Sequence, residues 1–452
     1  MKEGGLAAPT RHPLDWQNPD FYDEAKLDAE MRRVLDICHG CRRCFNLCDS
    51  FPRLFDLVDE AKSGELDTVD SADFKHVVDA CTLCDMCYMT KCPYVPPHEF
   101  NLDFPHLMLR YRAVEARKGA VSLADRALAE TDRNGKLASF VAPLANWASD
   151  RAHGTARSLV ETVAGLHPDA VLPKYSGKSF EALARDTGVS VEESAPAFGR
   201  KAVIYATCYT DYNEPGVGLA ARAVLGRNGV RTEIVYPHCC GMPKLEQGLI
   251  EDVAKAARTV AAALKPWIDT GYAVIALVPS CALMLKSEWP LILPDDADVR
   301  LLAASTYDLS EYIVDIARKE GIAPGMASVE AGVALHMSCH SRAQNIGRKA
   351  AEMLALVPGA EVQVIERCSG HGGAWGYKKA NFDIALKVGA PVARQVKDSH
   401  KPIVTSECPL AGLHIVQGIE KIDGDGPVPE RLAHPIELLA RAYGVGPGPA
   451  TP

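Results

Sequence analysis

Eight cysteines fall in two runs, Cys38-x2-Cys41-x2-Cys44-x3-Cys48 and Cys81-x2-Cys84-x2-Cys87-x4-Cys92, the second followed by Pro93. Three thiolates at every third position wrap a short loop around one side of an iron–sulfur cubane and leave one iron for a ligand from elsewhere. Where two such runs share two clusters, the fourth Cys of each serves the other cluster. On that pattern Cys38, Cys41, Cys44 and Cys92 hold one [4Fe–4S] cluster, and Cys81, Cys84, Cys87 and Cys48 the second. The alternatives are zinc sites, which favour paired C-x2-C units over triples, and disulfides, which a reducing compartment disfavours. Asp49 follows Cys48 where proline is common. An acid there lowers a cluster's potential, while Arg42, Arg43 and Lys91 offset thiolate charge; the competing reading is solvated surface charge.

The other seven cysteines form two spaced sets. Cys208, the vicinal pair Cys239-Cys240 followed by Gly241, and Cys281 recur as Cys339, Cys368 and Cys408, at offsets of 131, 129 and 127 residues. Three near-equal displacements point to an internal duplication. The second set has Ser369 in the place of Cys240, and His336, His340 and His371 stand nearby as candidates for a fourth ligand or a proton donor. An iron open to substrate, a zinc site and an empty degenerate site are the three readings of it. For the first set the competing reading is buried apolar thiols, and the vicinal pair also admits reversible oxidation, as in a redox sensor.

Positioning these thiols requires two kinds of element. Around the two runs the apolar spacing of Phe21–Ile37 and the segment Phe74–Ala80 predict helices. From about residue 200 the pattern changes: KAVIYATC, TEIVYPHCC and YAVIALVPSC, and later GVALHMSC, EVQVIERC and KPIVTSEC, are β-branched runs that each reach a cysteine. Amphipathic helices lie between them; Glu251–Trp267 places Val253, Ala257, Val260, Leu264 and Trp267 on one face. Strands alternating with helices predict parallel α/β sheets, with the cysteines at carboxyl ends of strands where such sheets place their sites. The trailing segments STYDLSEYIVDIA and LAHPIELLARAYG also correspond.

The 452 residues exceed what a single core supports, so several domains are expected. Residues 1–15 and 446–452 are expected to be disordered; 16–110 carry the two runs; 111–200 form a helical connecting region without cysteine; 201–320 and 321–445 are the duplicated units. The 49 basic against 58 acidic side chains argue against a nucleic-acid partner, and the odd total of 15 cysteines excludes complete intrachain pairing. No apolar stretch reaches the length of a signal core or a membrane span, so a cytoplasmic protein is expected, with peripheral association at the inner membrane face as its only link to lipid.

CHGCRRCFNLC, CTLCDMCYMTKCP, PHCCGMPKLEQG and ERCSGHGGAWGYKK, with VPSC and SEC closing the units, resemble the C subunit of anaerobic glycerol-3-phosphate dehydrogenase, the D subunit of heterodisulfide reductase and the iron–sulfur subunit of glycolate oxidase. The resemblance spans about residues 30–110 and 200–445. It implies an α+β multidomain protein: an α-helical ferredoxin-like domain with two [4Fe–4S] clusters, then two CCG units with parallel sheets. It implies a further cluster on Cys208, Cys239, Cys240 and Cys281, and an incomplete site on Cys339, Cys368 and Cys408 holding zinc or a cluster. A full CCG unit has five cysteines; here Val278 and Thr405 stand three residues before Cys281 and Cys408.

The expected function is that of an electron-transfer subunit, placed between a flavoprotein or dehydrogenase partner and quinone or another redox acceptor. Neither a G-x-G-x-x-G turn after a strand nor a P-loop occurs, which leaves the partner to carry the flavin or nicotinamide chemistry. The alternative is a heterodisulfide-reductase-like enzyme acting on a sulfur substrate, with Cys339, Cys368 and His371 as its catalytic residues.

Overall fold

Asp23 caps helix α1 (Glu24–Cys41) by accepting from the Lys26 amide, and Leu27, Met31, Val34 and Leu35 turn one apolar face inward. The helix stops at Arg42, whose φ of 52° is left-handed, so the first cysteine run bends away from the helix after its second thiol. In this computed structural model, which describes residues 4–5, 7–329, 332–422, 429 and 431–446, three more helices complete the N-terminal domain. They are α2 (Ser50–Asp59), α3 (Phe74–Asp79) and α4 (Phe104–Arg117), the last capped by Asp103 with Pro105 in its first turn.

Two parallel sheets follow. The first orders its strands β2-β1-β3-β4, with β1 Lys201–Tyr205, β2 Arg231–Val235, β3 Ala273–Ala276 and β4 Thr306–Asp308. The second has the order β6-β5-β7, with β5 Gly332–His336, β6 Glu361–Ile365 and β7 Ile403–Ser406. Val203 pairs with Glu233 and Val274 in the first sheet, and Leu335 with Val364 and Thr405 in the second. The duplicated units are thus matched at β1/β5, β2/β6 and β3/β7. β4 was not expected from its three residues; its counterpart is reduced to one parallel bridge, Thr405 to Ala433.

Alternation along the strands divides the core. Val203 and Tyr205 face the N-terminal domain and share a cluster with Leu35, Leu54 and Leu264. Ala202 and Ile204 face the other way and join Val333 and Leu335 of the second sheet through intervening helices. Ala334 and Ile365 face a third cluster with Val392 and Ile415. Both sheets are therefore covered on both sides, as purely parallel sheets require.

The disorder expected over residues 1–15 is corrected for the described residues from Ala7 onward. The Arg11 guanidinium meets Asp85 at 2.8 Å, Asp103 at 2.8 Å and Glu288 at 3.0 Å, and lies over the Tyr88 ring. Leu14 donates its amide to the Leu291 carbonyl at 2.8 Å, and the Trp16 indole donates to Ile292 O at 2.7 Å. This segment straps the N-terminal domain to the first sheet unit. Residues 1–3, 6 and 447–452 of the two expected disordered ends lie outside the described residues.

The connecting region contains α5 (Leu123–Ala129), α6 (Thr131–Phe140), α7 (Ala142–Ser149) and α8 (Gly154–Ala164). Leu166 and Ala170, just beyond, pack on Tyr377 and Phe382 of the second unit. These helices expose Leu123, Leu137, Phe140, Leu144, Trp147, Leu159 and Val163. No helix of the described residues is long and apolar enough to cross a membrane.

Candidate metal centres

Burial would ordinarily leave a thiol protonated and inert, but here thiols are crowded against one another. Cys38, Cys41 and Cys44 line one small apolar pocket together with Cys92, beside Phe51, Tyr94 and Leu102. Burial pushes the Cys38 thiol up, and Cys92, Cys44 and Cys41 push it further. Cys44 is pushed up to about 12 by burial and by Cys92 and Cys41, against the pull of Lys91 and Arg43. Cys48 belongs to the other group: burial, then Cys84 and Cys81, raise it, and Cys87 is raised by burial and by Cys84, Cys81, Cys48 and Cys44. The fourth cysteine of each run thus lies with the first three of the other.

Such crowding is unfavourable for thiolates alone and is relieved when iron is coordinated, which also releases the thiol protons. Among the described residues no group of three or more His, Cys, Asp or Glu side chains is arranged to hold a single metal ion, and the four thiols of the first group stand around a pocket instead of closing on one point. That spread suits a multi-iron core, and the all-thiol donor sets fit [4Fe–4S] clusters. Of the three cations named for charge compensation, Arg43 and Lys91 do face Cys44, whereas Arg42 turns away to Asp59. Asp49 is held by Arg53 at 2.6 Å. Arg112, unsuspected from sequence, is the strongest opposing charge on Cys81, which burial pushes up to about 11.

In the first sheet unit the cysteines stand at strand ends. Cys208 opens a short helix after β1, behind Thr207 at φ 63°; Cys239 and Cys240 follow β2; Cys281 sits in the helix Pro279–Leu283 after β3. Cys239 Sγ lies 3.8 Å from Cys208 Sγ, and Cys240 stands beside both Cys239 and Cys281, which push its thiol up. The four thiols therefore form a chain. Gly241, at φ 83°, gives its amide to Cys239 Sγ at 3.5 Å. The neighbouring Cys208 and Cys240 thiols, with the Gly241 amide, hold Cys239 well below the usual thiol range despite its burial.

Two further groups at this site come from the connecting region. Asp132 accepts from the Cys239 amide at 2.8 Å and from the Tyr236 hydroxyl, and Thr131 brings a buried, unpartnered hydroxyl beside the Cys208 and Cys239 thiols. The only signal for them is the Glu-Thr-Asp helix start, which reads as capping.

The second unit divides its cysteines. Cys339 stands beside Cys368 and also Cys84 of the N-terminal domain, and with burial both push its thiol up. Cys368 is held down to about 7 by Cys339, against its burial, with the Gly370 amide 3.3 Å from its sulfur. Cys408 faces elsewhere, 4.0 Å from His371 Nε2 and near Cys281. His371 also meets Ser369 Oγ at 3.1 Å, and burial holds it down to about 3, a neutral ring. His336 is tied to Ser406 Oγ and the Arg367 carbonyl at 3.1 Å each, which makes it scaffold. His340 reaches Ser280 of the first unit at 2.7 Å. A cavity of about 630 Å³ opens between Cys48, Cys84, Cys339 and Cys368, with Arg342, Arg367 and Lys387 on its walls.

Residues 29–118 match the citrate utilization protein B Fer4-like domain, and the CCG cysteine-rich domain matches twice, over 202–286 and 333–415. The chain is 26% identical over 325 residues to the C subunit of the anaerobic glycerol-3-phosphate dehydrogenase of Escherichia coli K12, covering 71% of this chain and 77% of that one. It is 28% identical over 284 residues to the B subunit of the fumarate reductase (CoM/CoB) of Methanothermobacter marburgensis, covering 60% and 54%. Lactate utilization protein A of Geobacillus thermodenitrificans is 32% identical over 190 residues, covering 39% of this chain and 75% of the relative.

Proposed function

We infer, for a chain that belongs to the family of iron–sulfur proteins joining a Fer4-like domain to paired CCG cysteine-rich domains, that it relays electrons from a catalytic dehydrogenase or flavoprotein partner to quinone or a redox-protein acceptor. In this reading Cys38, Cys41, Cys44 and Cys92 hold one [4Fe–4S] cluster and Cys81, Cys84, Cys87 and Cys48 the second. Cys208, Cys239, Cys240 and Cys281 hold a third centre, with Cys339, Cys368 and Cys408 as its depleted twin. A bound cluster supplies one-electron redox chemistry. The chain's own residues bury it, orient it and set its charge: Arg43 and Lys91 beside the first group, Arg112 beside the second, and the Gly241 amide on a sulfur of the third with the Thr131 hydroxyl nearby.

The observation that carries this reading is that thiols of different sets neighbour one another at three places. Cys44 stands near Cys87, Cys84 near Cys339, and Cys408 near Cys281. The test is anaerobic purification with iron and acid-labile sulfide analysis. About eight irons are expected from the N-terminal thiols, four per cubane; a preparation containing only zinc overturns the reading.

One observation favours a second reading, reduction of a disulfide substrate to two thiols with two electrons and two protons. Cys339 and Cys368 stand side by side on the wall of the 630 Å³ cavity, where Arg342, Arg367 and Lys387 offer positive charge. Substrate reduction that survives Cys368→Ser but not Cys240→Ser overturns it.

A further inference from the structure

The N-terminal domain, the connecting region and the GGAWGYKK loop of the second unit meet around a separate cavity of about 340 Å³. Cys81 and Thr82 form one wall, Tyr111 and Trp375 bring aromatic rings, and Glu246 enters from the first sheet unit. The loop is held close. Trp375 donates its indole N–H to the Asp79 carbonyl at 2.8 Å. Gly372 and Gly373 have φ of 50° and 58°, and a Cβ at Gly373 would stand 2.8 Å from both carboxylate oxygens of Glu246. Only glycine lets the backbone approach that acid so nearly.

The charges around the cavity select its ligand. Lys75, Arg112 and Lys378 face Asp79, Glu115, Asp125 and Glu246. Burial outweighs Arg112 and Lys378 and pushes Glu246 up to about 7, so near neutrality a large share of it is the uncharged acid. Three cations then face three carboxylates. A wall without net charge suits a neutral ligand with carbonyl dipoles and disfavours a nucleotide or a polyanion. The volume lies in the range of small-molecule sites, about 300–1,000 Å³. From Ala120 and Val121 on its rim the chain runs directly into α5, where Leu123 is 87% exposed; α5 packs on α8, which exposes Leu159 and Val163. An apolar tail leaving the cavity meets apolar surface.

We propose that this cavity binds the head group of a quinone beside Cys81 and that Glu246 is the proton donor to the nearer carbonyl oxygen. The inference rests on Cys81 being a ligand of the second cluster. Reduction to the quinol takes up two electrons, received through the Cys81 group from the partner dehydrogenase, and two protons. Glu246 gives one and is reprotonated from solvent; water at the mouth gives the other to the far oxygen. Both carbonyls become hydroxyls.

The test uses the full chain, purified anaerobically, with 2-methyl-3-prenyl-1,4-naphthoquinone as probe. Binding is read by equilibrium dialysis and electron delivery by stopped flow after chemical reduction, beside a one-electron dye. Saturable binding is expected, weakened about tenfold by Gly373→Val and by Trp375→Leu. Glu246→Gln is expected to retain binding but to lower the quinone-to-dye rate ratio on the order of 100-fold, and to abolish its decline above pH 7. Absence of saturable binding, or a ratio untouched by Glu246→Gln, overturns the proposal. Protein that reduces the dye but neither binds nor reduces the naphthoquinone removes this site and leaves the electron relay standing. Protein without iron removes the relay, while Gly373-sensitive binding would still identify the cavity.

Discussion

Cys339, just beyond the end of a strand in the second sheet unit, neighbours Cys84 in the middle of the second cysteine run, whose proximity raises its thiol. The contact couples the N-terminal domain to the sheet unit whose cysteine set is incomplete, although the complete set would be the obvious recipient of electrons. Replacing Cys339 by Ser is therefore expected to perturb the centre that contains Cys84 and to leave the Cys38 group alone. EPR-monitored redox titration reads this directly: one of two cubane signals shifts, and two unshifted signals would refute the coupling.

The crossed placement of Cys48 and Cys92 gives a sharper expectation than iron content alone. Cys92→Ala should damage the same EPR signal as Cys38→Ala, and Cys48→Ala the same signal as Cys81→Ala, each with loss of about four irons. Pairing of Cys92→Ala with Cys81→Ala would show that each run serves its own cluster.

Thr131 and Asp132 reach the first sheet site from outside its sheet. Thr131 Oγ1 is buried without a hydrogen-bond partner beside Cys208 and Cys239, which leaves it to donate to a sulfur of a bound cluster; Thr131→Val removes that donor, and hydrogen bonds to cluster sulfurs are among the determinants of potential. Since such bonds stabilise the more negative, reduced state, the midpoint of this centre is expected to fall. A midpoint equal to that of the unmodified protein would show that Thr131 makes no such bond.

Arg11→Ala leaves Asp85, Asp103 and Glu288 buried around a missing cation. Breaking a buried ionic set in this way costs about 3–5 kcal/mol, measurable by denaturant unfolding. Arg11→Lys should recover only part of this, because an ammonium cannot fork to several carboxylates. Loss of less than about 1 kcal/mol in the alanine variant would place the strap outside the cooperative unit.

The same cluster gives an acid limb. Burial works to raise Asp103, but His106 and Arg11 outweigh it and hold the carboxyl down to about 2. A depressed carboxyl contributes stability that is fully present above its ordinary value near 3.9 and is lost as pH falls through about 2. Unfolding free energy should therefore drop over that window in the parent and more shallowly in Asp103→Asn. Parallel curves would assign the acid sensitivity elsewhere.

Local spacing carried the parts of this protein that local geometry makes. The runs at Cys38 and Cys81, the strand ends at Cys208 and Cys339, and the glycine at 241 are all legible because a turn or a strand end constrains residues a few positions apart. Arg11 was not legible: its partners lie at positions 85, 103 and 288, and its own neighbourhood of Ala, Pro and Thr has the composition of a loose end. Glu246 and Thr131 were missed for the same reason, since a cavity or a thiol reached from a distant helix imposes no periodicity on the chain. Likewise Cys408 parts from Cys339 and Cys368 because His371 and the first unit draw it across a boundary that the duplicated spacing cannot express.

The two sheet units have diverged in matching ways: where one has Cys240 and a fourth strand, the other has Ser369 and the lone Thr405–Ala433 bridge. Had duplication left perfect copies, an electron placed on either would find equal energies and no reason to move on. In the proposed relay, divergence between the twins is what gives the pair a preferred direction.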